Sequence, residues 1–378
     1  MKRLLNLLIS FISIIKIFFN TSKSSKKNLL FYFPIRIYNE NIFDLIKVLK
    51  KKYNVILIYN ASSKSIVKNY SNSYFFDFSL ARFIFFRKKL MSNINIFISS
   101  YLSYIYPPNS KNIYISHDIY DAPMINRKFE KQLFLRIGAL DFIFCSSEIS
   151  KNYLRKNIDK FKKNSKTKII NTGYIKLDHN LKKIKKSKPT NTILIAPGYS
   201  LNYQKYNIYS SIEKIITKIL DNTNQKLIFR PHPLDLTIKG DLLLINRIID
   251  KYKNNRKFIV NLTPSYLKEF QKSDILITDL TSTAYTYAFS TLKPVIFFSK
   301  KEHLIAGNIN FNHKFFTDRT KVGSIVSNVD NIIDKIKFLN NKKKYYYKKI
   351  KTLRLKRIEN INISIKKTKN AIDKVAKY

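Results

Sequence analysis

Short runs that are apolar on both faces of a would-be strand recur along this chain, with helix-length stretches between them. This alternation restricts the fold more than any other feature. A strand buried on both sides belongs to a parallel sheet, because crossover helices cover both faces of such sheets. Residues 29–33, 55–59, 94–98, 113–115, 141–144 and 168–171 read as the strands of a first block, with helices predicted over 42–49 and 148–154. A Lys-rich connector over 181–188 ends at Pro189, and the pattern then restarts. In the second block, strands are predicted over 193–196, 226–229, 258–260, 275–278 and 295–298, and helices over 208–220 and 283–289. No internal repeat is detectable. Two such blocks imply an α/β protein with two Rossmann-like domains facing across a cleft, residues 28–188 and 189–340. Residues 1–27 stand apart as an N-terminal segment, and 341–378 as a basic, helical C-terminal part. Ligands of open α/β sheets bind at the carboxyl ends of the strands, so the chemistry belongs on the strand-to-helix turns.

Charge is the second constraint. The 378 residues carry 71 Lys+Arg against 24 Asp+Glu, a net charge of +47. Since 45% of residues are hydrophobic and 14% aromatic, the chain still has enough apolar material for a substantial core. Lys, Asn, Ile, Tyr and Phe are abundant throughout, whereas Trp is absent and Gly (6), Pro (10) and Met (3) are scarce. AT-rich coding imposes that pattern on any protein, so composition explains part of the charge. The remainder suits an anionic partner such as a membrane or a phosphate. The Lys residues are dispersed and no recognition motif appears, which argues against nucleic acid despite 25 Tyr. A lone Cys145, within the run Phe142-Ile143-Phe144-Cys145, excludes a disulfide framework and a Cys-based zinc site.

At the N-terminus, Leu4 to Phe19 is apolar except for Asn6, Ser10, Ser13 and Lys16, whose spacing puts one narrow polar stripe on a helix. Such a stretch reaches ~24 Å, short of the ~30 Å hydrocarbon core. Asn20-Thr21-Ser22-Lys23 makes a poor cleavage site. The favoured reading is an amphipathic helix in the plane of a membrane, with Lys2, Arg3, Lys23, Lys26 and Lys27 on anionic headgroups. A helix packed on the protein's own core is the alternative.

Five turns carry unusual residues. Ile113-Tyr114-Ile115-Ser116 runs into His117-Asp118-Ile119-Tyr120-Asp121, which places a His where a general base is useful and Asp118 or Asp121 where it could orient that base. A surface His capping a strand end is the plainer reading. Phe229-Arg230-Pro231-His232-Pro233 follows an apolar strand; the prolines fix the backbone around His232, and Arg230 adds a permanent cation. An imidazole held that way can donate to a phosphate. Strand 275–278 enters Asp279-Leu280-Thr281-Ser282-Thr283, a hydroxyl cluster at a helix start that either binds phosphate or simply caps the helix. Thr172-Gly173-Tyr174-Ile175-Lys176-Leu177-Asp178 and Ile195-Ala196-Pro197-Gly198-Tyr199-Ser200 flank the connector, with glycines that let the chain turn tightly. His179, His303 and His313 are scattered, and no metal motif, Gly-x-Gly-x-x-Gly or P-loop is present. No cofactor is expected.

Taken in this order, the segments resemble the CDP-glycerol glycerophosphotransferase family of teichoic-acid and capsule polymerases. The shared pattern comprises the His117 turn, Gly173 to Asp178, Ala196-Pro197, Arg230 to Pro233, and Ser273 to Ser282, with the last two the specific part. The resemblance implies a GT-B fold and transfer of glycerol phosphate from CDP-glycerol, or a related nucleotide-activated donor, to a lipid-linked or glycan acceptor. It implies that His117, with Asp118, is the catalytic base on the acceptor hydroxyl. It implies that His232, Thr281 and Ser282 hold the donor pyrophosphate, with Arg230, Asp279, Thr283 and Gly198 completing that site. Peripheral attachment at the cytoplasmic face of the cell membrane fits a lipid-linked acceptor.

Three positions depart from the family pattern. Asp118 stands where a Gly is usual after the His, Thr281-Ser282 replaces Ser-Ser, and Thr286 stands where the helix usually carries an acid. In related GT-B enzymes such an acid grips the nucleotide ribose, so Thr286 keeps a glycosyltransferase using a nucleotide sugar as the competing reading. A non-enzymatic membrane scaffold would leave the ordering of His117, His232 and Thr281-Ser282 unexplained.

Overall fold

The computed structural model describes residues 2–33, 40–60, 67, 70–76, 91–102, 106–120, 129–185, 189–201, 207–263, 265–302 and 313–377. Asp121 and His303, together with the end of the connector at 186–188, lie outside the described residues. The strands are β1 Asn28–Phe33, β2 Asn54–Tyr59, β3 Ser73–Phe75, β4 Ile96–Ser99, β5 Lys111–Ile115, β6 Phe142–Cys145, β7 Lys168–Asn171, β8 Thr192–Ile195, β9 Lys226–Phe229, β10 Phe258–Val260, β11 Ile275–Thr278, β12 Val295–Phe298 and β13 Gly323–Val326. The helices of eight residues or more are α1 Lys2–Ser22, α2 Glu40–Leu49, α3 Glu130–Ile137, α4 Glu148–Phe161, α5 Ile175–Lys183, α6 Ile212–Asn222, α7 Lys239–Tyr252, α8 Thr283–Thr291, α9 Ile332–Asn341, α10 Lys343–Arg357 and α11 Ser364–Val375. The chain folds as two compact units: residues 1–117, 131–178 and 359–378 make the first, and 118–130 with 179–358 the second.

In unit 1 a parallel sheet runs β3-β2-β1-β4-β5-β6-β7. β1 sits in its middle, with Leu29 opposite Val55 of β2 on one side and Ile96 of β4 on the other. Successive side chains of a strand point to opposite faces, and β1 is apolar on both. Leu29, Phe31 and Phe33 pack with Leu45, Ile46 and Leu49 of α2 and with Ala371, Ile372 and Val375 of α11. Leu30 and Tyr32 pack on the other face with Ile56, Ile58 and Phe97 and with Ile14 and Ile17 of α1. The last helix of the chain therefore belongs to the core of the first sheet.

α1 meets that sheet with a narrow face. Ser10, Ser13, Ile14, Ile17 and Thr21 share one buried face, so Ser10 and Ser13 of the polar stripe turn inward while Lys16 stays exposed. The hydroxyls of Ser10 and Thr21 are satisfied by the carbonyls of Asn6 (2.7 Å) and Phe18 (2.9 Å). Leu4, Leu5, Leu8, Phe11, Ile12 and Phe19 are exposed, Leu4 to 73%. By length and composition alone, Leu4–Ser22 could cross a membrane.

In unit 2 the parallel order is β10-β9-β8-β11-β12-β13. β8 and β11 are adjacent and mark the point where the strand order reverses, which is where ligands of open α/β sheets bind. Ile212, Ile215, Ile216 and Ile219 bury one face of α6, and α8 is buried from Ala284 to Ser290. The segment predicted as one helix from 208 begins instead with a short 3-10 turn, Ile208–Ser211, before α6.

Candidate active site

Three loops leave the carboxyl ends of β8, β9 and β11, and they carry most of the residues singled out in unit 2. Asp279, the first residue after β11, is buried, and both its oxygens accept backbone N–H groups from another loop: Gly198 at 2.9 Å and Ile208 at 3.0 Å. Its carboxylate thus staples the β8 loop to the start of α8. Burial pushes its pKa up, with those two N–H groups pulling the other way. The sequence reading placed Asp279 among the donor ligands; here both oxygens are spent on loop geometry. Gly198 lies so close to this staple that a Cβ would meet Asp279 Oδ1 at 2.9 Å and Thr281 Cβ at 3.1 Å. Close approach, not positive φ, is what requires glycine there.

Thr281, Ser282 and Thr283 are half-buried at the start of α8. Thr281 Oγ1 accepts Thr283 N–H at 3.3 Å, and Ser282, at the cap position, makes no side-chain cap bond. The N–H groups of Thr283, Ala284 and Tyr285 are taken up by Thr281 Oγ1 (3.3 Å), the Thr281 carbonyl (3.3 Å) and the Ser282 carbonyl (3.1 Å), so what α8 offers here is hydroxyls and the positive end of its dipole. This hydroxyl cluster is therefore an anion-attracting corner. Thr286, one turn on, is buried and its hydroxyl bonds the Ser282 carbonyl at 3.3 Å.

His232 presents a defined donor. Its Nδ1 accepts the N–H of Leu234 at 3.3 Å, which leaves the proton of the neutral ring on Nε2. Burial, helped by the neighbouring Arg230 cation, pushes its pKa down to about 4. At neutral pH the ring is an uncharged N–H donor, stacked at 5.4 Å against Tyr199. Arg230 is buried, and its Nη2 reaches the Thr263 carbonyl in the loop after β10 at 3.4 Å.

One residue here escaped the sequence reading. Asp235 is fully buried beneath the His232 turn; it accepts Ser200 N–H at 3.0 Å and the Tyr209 hydroxyl, and its own N–H bonds the His232 carbonyl at 2.9 Å. Burial raises its carboxyl to about 6. Two buried carboxylates, Asp235 and Asp279, thus lock the β8 loop to the His232 turn and to the α8 start. The visible signal was its place two residues past Pro233, in a chain with only 24 acidic residues.

His117 belongs to unit 1 and Asp118 to unit 2. The His117 N–H donates to the Tyr114 hydroxyl at 3.3 Å, and its ring lies 5.0 Å from that of Tyr101. Asp118 Oδ1 accepts Tyr120 N–H at 2.9 Å, closing a side-chain-to-backbone turn. Tyr120 then donates to Asp318 Oδ2 at 2.8 Å, and Asp318 also accepts Arg357 Nε at 2.6 Å. The segment following His117 is thereby anchored within unit 2. Among the described residues no cluster of His, Cys, Asp and Glu could hold a metal ion. His179 and His313 are buried, the latter with its Nδ1 accepting Phe315 N–H at 3.1 Å.

Two Rossmann-type parallel sheets, one with a hydroxyl-lined helix start at its switch point, define a protein of the GT-B class. The fold is similar to that of a variant of the wall teichoic acid polymerase TagF (TM-score 0.62, 15% identity, 100% of this chain and 98% of that one). It is likewise similar to the UDP-GlcNAc 2-epimerase of Methanocaldococcus jannaschii (TM-score 0.62, 14% identity, 92% of this chain and 99% of that one). In sequence the chain is 23% identical over 260 residues to GgaB, a minor teichoic acid biosynthesis protein of Bacillus subtilis (strain 168). That match takes in 57% of this chain and only 27% of GgaB, so the chain spans about a quarter of this relative. A family model matches residues 17–360, and the chain belongs to the CDP-glycerol:poly(glycerophosphate) glycerophosphotransferase family.

Proposed function

We propose that the protein transfers glycerol phosphate, or a related alditol phosphate, from a CDP-activated donor to a hydroxyl of a growing wall or capsule polymer. The observation that carries this reading is the junction of the His232 turn, the β8 loop and the α8 start, locked by Asp235 and Asp279. In the proposed reaction the acceptor oxygen attacks the glycerol-bearing phosphorus and forms a new P–O bond. The bond to the bridging oxygen breaks, CMP leaves with the electron pair, and His117 takes the acceptor proton. Negative charge gathers on the non-bridging oxygens in the in-line transition state. His232 Nε2–H and the hydroxyls of Thr281, Ser282 and Thr283 are donors suited to that charge, with the positive end of the α8 dipole behind them. Arg230, buried behind the turn, adds a positive field.

Attachment to the cytoplasmic face of the membrane, where a lipid-linked acceptor resides, is part of the proposal. The exposed apolar face of α1 supports it, with Lys23 and Lys26 exposed just past its end for anionic headgroups, whereas the Lys27 ammonium is taken by the Ala376 carbonyl. A nucleotide-sugar donor is the second reading, favoured only by Thr286, which brings no carboxylate to a ribose.

Single substitutions separate the two proposed histidine roles. His117→Ala should lower turnover by roughly 10²–10⁴-fold while leaving donor affinity nearly intact. His232→Ala should weaken donor binding about tenfold or more, since a donor to charged oxygen is lost. The reverse pattern, measured by steady-state kinetics and donor titration, would overturn the assignment.

A further inference from the structure

Unit 1 contains a polar recess that the donor chemistry of unit 2 does not use. It lies at the carboxyl ends of β4, β5 and β6, and Asn41, Ser100, Ser116, His117, Tyr174 and Lys176 supply its polar lining. Two helices begin at its wall: α2, whose second residue is Asn41, and α5, whose first turn holds Lys176. Both bring N–H groups without intrahelical acceptors and the positive ends of their dipoles. Gly173, at φ +87°, sets the entry into α5, and a Cβ there would meet the Glu359 carbonyl at 2.7 Å.

A second, independent observation points to a ligand. Ser116 is 8% exposed, and its Oγ is shielded from solvent with no hydrogen-bond partner. A buried hydroxyl left without a bond costs stability, so a native fold that keeps one usually completes it with something bound. The described lining residues include no carboxylate. Asp178, in the first turn of α5, is turned to other work: its oxygens accept Asn362 N–H at 2.6 Å and Ser364 N–H at 2.8 Å. The enclosed part of the recess measures about 10 Å³, room for one oxygen atom with the rest of the group at the mouth.

We propose that this recess binds a phosphate group of the acceptor, one oxygen accepting from Ser116 Oγ and the others facing Lys176 and the two helix starts. A glycerophosphate ester seated there keeps its free hydroxyl beside His117. That the ester belongs to the acceptor rests on the function proposed above. The anion site itself stands on unit 1 alone.

The test is calorimetric titration of the intact protein with sn-glycerol 3-phosphate and, separately, inorganic phosphate. Saturable binding of the ester is expected, at least tenfold tighter than that of inorganic phosphate. It should weaken tenfold or more in Ser116→Ala and in Lys176→Gln, the latter at a partly exposed position where folding is not at stake, and persist in His232→Ala. No ester binding, unchanged binding in both variants, or loss only in His232→Ala would overturn the proposal; so would equal affinity for the two anions, or a recess that holds only water. If CDP-glycerol were not a donor but ester binding behaved as described, the function would fall and the anion site would stand.

Discussion

His232 shows how neighbours can shape one side chain for the donor-binding role proposed for it. Two prolines fix its backbone, the Leu234 N–H fixes its tautomer, and burial keeps it neutral. The same burial makes it a liability in acid. Its folded pKa of about 4 lies below the ordinary 6.5, so the unfolded chain takes up this proton first as the pH falls. Its contribution to stability is thus fully present above pH 6.5 and lost as the pH drops toward 4. Asp235 works in the opposite sense: raised from 3.8 to about 6, it contributes below its ordinary value, and that contribution is lost as the pH rises through 6. Below pH 6.5 His232 and His313, whose buried ring is likewise lowered to about 4, both favour the unfolded chain, so His232→Gln should lessen, without abolishing, the fall in Tm on acidification from about pH 7 toward 5, as thermal melts of parent and variant side by side will show. A variant as acid-sensitive as the parent would refute the assignment. His232 was legible because Arg-Pro-His-Pro is a local pattern. Asp235 was not, because its importance comes from Ser200 and Tyr209, which only folding brings beside it.

Among the elements, α1 is the most informative. The stripe of Asn6, Ser10, Ser13 and Lys16 suggested a polar edge for headgroups, but Ser10 and Ser13 lie against the sheet with Ile14 and Ile17. Small polar residues let the helix sit close to Leu30 and Ile58, and the larger apolar residues are left outside. The helix packs on its own core and keeps an exposed apolar surface, which is the surface the proposed membrane attachment would use. Deleting α1 would confound the two, because it would uncover the second face of the sheet. Substitution separates them. Leu8→Lys with Phe11→Lys should change stability by only about 0.5 kcal/mol each, yet lower binding to anionic vesicles in sedimentation. Ile17→Ala should cost roughly 2–5 kcal/mol in chemical denaturation, through the cavity it leaves. Unchanged vesicle binding in the Lys variant would remove α1 from the membrane account. The strands were readable where both faces are apolar, as in β1. β3 and β13 were missed because Ser73, Tyr74 and Phe75 are all half-buried and Gly323-Ser324 breaks the apolar run. The start of α5 was read as a turn and its end as connector, since its Lys-rich exposed side hides a buried Leu177 and Asn180.

At the scale of the whole molecule, the family match spans residues 17–360, which takes in every strand of both sheets and the junction between β8, β9 and β11 but leaves out α11. The net charge of +47 is a poorer guide. Cations paired with carboxylates, such as Arg357 with Asp318 and Arg319 with Glu302, hold the fold, and most Lys residues are solvated surface. Arg230 is the buried cation beside the proposed donor site. The central claim is that unit 2 receives a CDP-alditol, and ligand-induced thermal shift of the intact protein tests it most directly. A ligand that binds only the folded state at about a hundred times its Kd stabilises by roughly 2.7 kcal/mol, a readable rise in Tm. CDP-glycerol or CDP-ribitol should produce that rise, and His232→Ala should diminish it, while UDP-sugars and CMP-sugars leave Tm unchanged. A rise with a UDP-sugar alone would contradict the account.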